Sequence, residues 1–372
     1  MKKILFFSIL LSLIFSLYPE IVNPDKPLQG DWDLKAEKVW EISRYGKKPM
    51  AAPALKCVLE DGTICIYDWK RNLHYALDSN GKLITPFGKR GEGPGEVRWA
   101  SSYFSANDKF IIYDRPKLHY FLKNGKYEKS VPIGGSFDPP IFFINENEYI
   151  SRPKSEGSNI ALVNLETGKQ KVIKKTPAFS DLLNLSSGKH VIGISIPWSF
   201  PDFQLGLDGK NKRLYYGISH SYLINIVDLN GNMMGGFSLK REKKKITKKM
   251  EKEYAKRNPG EARMMSPAMR KRIPKELNYF SKIQTENGLV YVFVTNYADH
   301  WDDQQVDIFS PEGKYLYRTI FIPGKGEKIY SSSISHGVMI KNGFLYTVLE
   351  DSNDDRKLVK YKVSLPAPNP GA

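Results

Sequence analysis

Four glycines in ten residues, GKRGEGPGEV at 88–97, give this chain its strongest likeness to a phosphate-binding loop. Such a loop needs a helix starting behind it, so that free backbone N–H groups and the helix dipole meet the anion. Here the strand-like LITPF precedes and VRWASSYF follows, Pro94 removes a donor, and Glu92 and Glu96 add negative charge. The spacing G-x-x-x-x-G-K-[ST] is also missing, so the glycines are expected to permit a tight backbone passage between strands instead.

Other chemistry-bearing groups are sparse. The six histidines include no H-E-x-x-H and no close pair. His300, within YADHWDDQQ, has three Asp and Trp301 for company, and it is the best histidine for a ligand or metal site. EDSNDDRKL puts Asp351, Asn353 and Asp355 at alternating positions like the start of a calcium loop. Its sixth position is Arg356 rather than Gly and its twelfth Lys362 rather than Glu, so an Asx-bonded turn is expected. Ser219-His220 and Ser335-His336 are sequence neighbours, which in a strand point to opposite faces, and no G-x-S-x-G phrase is present. Cys57 and Cys65, the only cysteines, flank an Asp61-Gly62 turn symmetrically. Depending on strand register they are a cross-strand disulfide or two buried thiols.

The elements that carry these groups repeat. GTICIYDWKRNLHYALDSNGKL at 62–83 aligns with DKFIIYDRPKLHYFLKNGKY at 108–127, and Leu73 and Leu118 lie 45 apart. Weaker copies bring the total to six units, each made of short Val, Ile, Tyr and Phe runs broken by Gly turns. Turn glycines Gly81, Gly125 and Gly168 are spaced 44 and 43 apart, and later spacings lengthen to 63 and 82. A period of roughly 40 to 50 residues is what one four-stranded propeller blade consumes. The expected fold is an all-β, six-bladed β-propeller spanning 31–363. The sixth unit offers only three strands, so DWDLKAEKVWEI at 31–42 is expected to supply its outer strand and close the ring.

Asp68, Asn72, the 73–77 strand, Gly81 and Phe87-Gly88 followed by the glycine phrase resemble an NHL-type repeat of bacterial six-bladed propeller proteins. The first unit matches well, the second moderately, and the other four only in pattern. The resemblance implies a fold used mostly for binding and scaffolding and by a minority of enzymes that hold a metal in the central channel.

Residues 1–18, MKKILFFSILLSLIFSLY, have the basic start and apolar run of a secretory signal, followed by a linker at 19–30. The run falls short of roughly 20 residues that comfortably span a bilayer. The protein is expected to be exported, periplasmic or extracellular, or membrane-tethered if the signal stays. Residues 364–372, SLPAPNPGA, read as a Pro-rich disordered tail.

Charge is concentrated. The formal net charge is +16, and residues 240–275 hold fifteen Lys and Arg against four Glu, which is +11 of it. This stretch, 241–280 between the fourth and fifth units, is expected to be a helical insertion whose Ile246, Met250 and Tyr254 form one apolar stripe. A second helix is expected from Ser266-Pro267. The insertion is a solvated flap or a cationic lid. Alternating strand direction puts it on one face with the second insertion at 176–202, the glycine loop, and the turns at 69–71, 115–117, 299–303 and 351–355. Loops on a rigid scaffold are where binding resides. Arg71, Arg90 and Arg115, then His300, Trp301 and Asp302, then Lys244 and Lys248, are therefore the expected binding residues, with no catalytic residue and no metal ligand assigned.

The function expected is a monomeric binding or scaffold module without a cofactor, recognising a protein, an anionic polysaccharide or a lipid surface. Nucleic acid is disfavoured, because the chain is expected to leave the cytoplasm and the aromatics of the insertion do not interleave with its Lys and Arg. The alternative is a hydrolase or lyase with a divalent metal at the axial mouth.

Overall fold

Alternation of apolar and polar residues in runs of five to seven decides the architecture. A computed structural model of the chain describes residues 20–133, 140–151, 159–175, 203–257, 275–295, 300–330 and 337–367. They form six blades, each with four antiparallel strands, arranged as a six-bladed β-propeller; the sheets of blades 4 and 6 carry further strands, and Arg44–Tyr45 and Lys48–Pro49 make a small separate hairpin. From the axis outward, blade 1 is Pro53–Val58, Ile64–Asp68, Leu73–Leu77 and Leu83–Phe87. Blade 2 is Ser102–Ala106, Lys109–Asp114, Lys117–Leu122 and Tyr127–Pro132, and blade 3 is Pro140–Asn145, Glu148–Ser151, Asn159–Asn164 and Gln170–Lys175. Blade 4 is Phe203–Asp208, Arg213–Ile218, Leu223–Asp228 and Met233–Lys240, and blade 5 is Phe280–Glu286, Leu289–Val294, Gln304–Phe309 and Tyr315–Phe321. Blade 6 takes Val338–Lys341, Phe344–Glu350 and Arg356–Lys362 from the chain's end and Glu37–Ile42 from its beginning. The expected closure is therefore the observed one.

Second strands are the most apolar because neighbouring blades cover both of their faces; Leu289–Val294 is buried at every position. The periodic glycines have a double cause. Gly125 turns from the third strand to the fourth with a φ of 78°, and a Cβ there would lie 2.3 Å from Thr85 Cγ2 of the preceding blade. Gly313 repeats this with a φ of 101° and a Cβ position 2.3 Å from the Phe237 ring. A side chain would be strained by the backbone and blocked by the preceding blade, so the repeat keeps glycine where blades meet.

The repeated aspartates also have a task. Buried Asp68, ending the second strand of blade 1, accepts the backbone N–H groups of Ala51 and Ala52 at 2.9 and 3.1 Å. Asp114 in blade 2 accepts those of Arg98 and Trp99 at 2.6 and 3.0 Å. Each carboxylate pins the connection entering its blade with charge-assisted bonds.

Of the linker expected at 19–30, residues 20–30 contribute structure. Glu20–Pro24 forms a parallel fifth strand on the rim of blade 4, in register from Glu20 opposite Gly236 to Pro24 opposite Lys240. Leu28, Gln29 and Trp32 then donate backbone bonds to Tyr315, Leu316 and Arg318 on the rim of blade 5. The segment continues into blade 6, so residues 20–42 form a belt over three successive rims. Its fixed point is Asn23, which donates to the Ser238 and Gly313 carbonyls and accepts the Tyr315 N–H at 2.9 Å. Of the expected strand at 31–42, Glu37–Ile42 forms the closing strand, and a bulge between Lys38 and Trp40 interrupts its alternation. Trp32 and Leu34 pack with blade 5 and the chain's end instead. The expected disordered tail starts as ordered chain, since Ser364 exchanges bonds with Leu34 and Trp32 and Pro366 is buried.

Within the basic insertion, residues Lys248–Arg257 form a helix capped by the Thr247 hydroxyl, which accepts the Met250 N–H. The two ends of the insertion pair through Ile246 N–H to the Lys275 carbonyl and Leu277 N–H to the Lys244 carbonyl. Ile246 and Met250 of the expected stripe are partly buried. The second helix expected from Ser266, residues 1–18 and the insertion at 176–202 lie outside the described residues.

Candidate binding face

Because every blade is an antiparallel meander, its second-to-third turn and its link to the next blade leave on one face, and its other two turns on the opposite one. The glycine loop at 88–97, the turns at 69–72 and 115–116, the strand pair His300–Trp301, the turn at 351–355 and the basic insertion therefore share a face. Among the described residues, the hairpin turns of the opposite face are short, such as 78–82, where Asp78 accepts the N–H groups of Asn80 and Lys82. The 351–355 turn is built likewise, Asp351 accepting from Asn353 and Asp355, as its sequence indicates.

The junction of blades 1 and 2 holds the most unusual chemistry on this face. Lys56 lies at a bulge in the innermost strand of blade 1, between residues paired in register. Only 9% of it is exposed, and its ammonium has no hydrogen-bond partner. Three aromatic rings surround the charge, with centroids at 4.8 Å for Tyr103, 5.2 Å for Trp69 and 6.0 Å for Tyr67. The indole N–H of Trp69 is likewise buried without a partner. Cys57 and Cys65 lie electrostatically close to the ammonium, but burial pushes the Cys65 thiol well above its ordinary value, so it supplies no counter-charge at neutral pH. Burial without a counter-ion lowers the lysine to about 8. Cation–π attraction offsets only part of that cost.

The walls are held firmly. His74 is fully buried, and burial lowers it to about 4, so its imidazole is neutral. Its Nδ1–H donates to the Gly88 carbonyl at 2.9 Å, which leaves Nε2 to accept from the Tyr103 hydroxyl at 3.1 Å. One histidine thereby fastens the start of the glycine loop to a wall of the lysine box. Further along the loop, Glu96 accepts the Gly93 N–H and pairs with Lys89 at 3.0 Å, and Glu92 pairs with Arg98 at 3.2 Å. The loop's carboxylates are thus engaged, while Arg90 is exposed close enough to influence Tyr67. Trp99 stands 70% exposed on backbone clamped by Asp114, beside Arg98, whose guanidinium donates to the Arg115 carbonyl. The loop works as the tight passage its sequence implies, and it presents cations and an indole.

The expected binding residues share the face but do not form one cluster. Arg90 and Arg115 are exposed at the junction of blades 1 and 2. Arg71 is turned away, its guanidinium donating to the Pro49 carbonyl at 2.7 Å and lying 3.8 Å from Asp68. The backbone of His300 and Trp301 pairs with Tyr330 and Ile329, joining blade 5 to the link before blade 6; their side chains lie outside the described set. Exposed Asp302 pairs with Lys328 at 3.7 Å. Lys244 and Lys248 are exposed at the root and start of the helix. Cys57 and Cys65 are direct register partners and buried free thiols in this structure.

A second constellation had no sequence warning beyond one Asp in an apolar strand. Asp307, wholly buried, accepts from Arg241 twice, at 2.6 and 3.1 Å, and from the Tyr222 and Tyr315 hydroxyls at 2.8 and 2.7 Å. Asp25 accepts from Arg241 and from Arg318, each at 2.7 Å. Asp25, Arg241 and Arg318 line a cleft of about 450 Å³ with Lys240, Glu242 and Lys244. Two guanidinium groups facing two carboxylates leave no unpaired charge, so the cluster serves as an anchor for the belt and the insertion root. Among the described residues, no group of three His, Cys, Asp or Glu side chains is arranged to hold a metal.

No family model and no curated protein matches the sequence. Solved structures are similar in fold. A Bacteroides vulgatus member of the DUF4221 family has a TM-score of 0.57 at 12% identity, covering 90% of this chain and 98% of its own. This chain is a six-bladed β-propeller. A Bacteroides fragilis protein named for its expected export follows with a TM-score of 0.49 at 11% identity, covering 93% and 99%. A streptogramin B lyase reaches only 0.41 at 12%, covering 89% and 98%, too loose a likeness to carry chemistry across. The NHL-type resemblance of the first two units rests on sequence alone.

Proposed function

We propose that this chain is an exported binding module that captures an anionic partner, a glycan or an acidic protein, through the loop-rich face of its ring. One observation carries the reading: the exposed cations of the helix, Arg90 of the glycine loop and the exposed indole of Trp99 all leave the scaffold on the same side. Arg and Trp are the side chains that most often dominate interfaces, and a one-sided positive field steers anions to it. No helix among the described residues is long and apolar enough to cross a membrane. Glu20–Pro24 runs parallel to Met233–Lys240, toward the loop-rich face, so the chain joins the ring from the opposite side.

The test replaces Lys244, Lys245, Lys248, Lys249 and Lys252, all exposed, with Gln. Affinity for immobilised anionic polymers is expected to fall, and its dependence on ionic strength to flatten, without a change in melting temperature. Retention equal to that of the parent protein at every salt concentration would refute the role of this face's charge.

A further inference from the structure

The box at the junction of blades 1 and 2 contains donors and lacks an acceptor. Lys56 Nζ and Trp69 Nε1 are both buried and both unpartnered, and the ammonium lies 5.2 Å from the indole centroid. Buried polar groups in native proteins are almost always paired, and a buried cation without a counter-ion is costlier still. A fold that keeps such a group at its own expense points to something that binds there.

We propose that Lys56 and Trp69 receive the carboxylate of a uronic acid residue, whose sugar ring packs among Tyr67, Trp69 and Tyr103. This deepens the reading of an anionic partner and rests on it. Lys56 supplies the charge, the indole N–H a second directed donor, and the aromatic faces the apolar contact that a pyranose ring accepts. The box lies at the loop-rich end of its blades: Trp69 belongs to the turn after Ile64–Asp68, and Tyr103 is the second residue of its strand. Outside it, exposed Arg90 and Trp99 offer a cation and a stacking surface for neighbouring sugars of the same chain. Glu92 and Glu96, the acidic groups of the adjoining loop, are already paired with Arg98 and Lys89 and do not repel it. Because both donors are covered, binding displaces the half-buried Trp69 ring, which makes its fluorescence a direct reporter.

Calorimetric titration with a hexamer of galacturonic acid tests this, with the fully methyl-esterified hexamer and hexaglutamate as comparisons. The acidic sugar should bind and quench or shift tryptophan emission, while its ester and the peptide should bind at least about tenfold more weakly. Lys56→Met should cost about tenfold or more and Trp69→Phe about three- to tenfold, since each removes one donor to a charged group. Lys56→Met should also melt at the same or a higher temperature, because it removes an uncompensated buried charge. Unchanged binding in both variants would overturn the site while leaving the cationic face standing, and so would an acidic hexamer that fails to bind. Equal, Lys56-dependent binding of hexaglutamate would overturn the sugar assignment. A clear fall in melting temperature for Lys56→Met would make the lysine a structural cation; should that variant not fold, Trp69→Phe decides between the outcomes.

Discussion

His74 shows how much one side chain can be asked to do. Its neutral ring bonds the glycine loop with one nitrogen and Tyr103 with the other, and burial lowers it to about 4. In the unfolded chain a histidine takes up its proton near 6.5. Between those values the unfolded state binds more protons, so stability from this group is complete above pH 6.5 and is lost as pH falls toward 4, by about 3 kcal/mol. Urea unfolding at pH 7 and pH 4.5 should therefore show a smaller acid loss in His74→Gln than in the parent protein. An identical acid loss in the two would mean that His74 is not held neutral. His119, also lowered by burial, acts in the same direction and remains in both proteins. The residues of the lysine box were the least legible from sequence. Lys56 reads as a blemish in the apolar run ALKCVL, and its three rings come from a strand end, a turn and the next blade. The Asp68 and Asp114 positions were visible as a repeat, but their task of pinning incoming backbone appears only when the connection lies across them.

At the scale of elements, periodicity carried most of the information. Glycines 44 and 43 apart mark turns that must both reverse the chain and let the preceding blade approach, two requirements at one position. The closing strand was legible because blade 6 came up one strand short. The belt before it was not, since EIVNP is short, ends in Pro, and pairs in parallel with a strand more than two hundred residues away. Only long-range geometry reveals Asn23, which fills three backbone bonds between blades 4 and 5. Asn23→Ala should lower the unfolding free energy by about 3 kcal/mol, because it leaves buried backbone groups without partners. Val22→Ala, at a neighbouring site that is 52% exposed, should be nearly neutral. Similar losses in the two would show that the belt adds stability through apolar contact rather than through the Asn23 bonds.

At the scale of the whole molecule, the two faces of the ring have been given different work. Among the described residues, one has tight Asx turns and glycines where blades touch; the other carries the glycine loop, the root of the basic insertion and the exposed cations of the helix. The +11 of charge at 240–275 could be counted from sequence, and meander topology alone places its root, Arg90 of the glycine loop and Trp99 on the same side. Hydrogen–deuterium exchange of the intact protein with and without a bound anionic polymer tests this division most directly. Protection is predicted at 88–99, 115–117 and 244–257, with the turns at 78–82, 123–126 and 229–232 unchanged. Protection of those turns, with the glycine loop and helix exchanging as before, would contradict it.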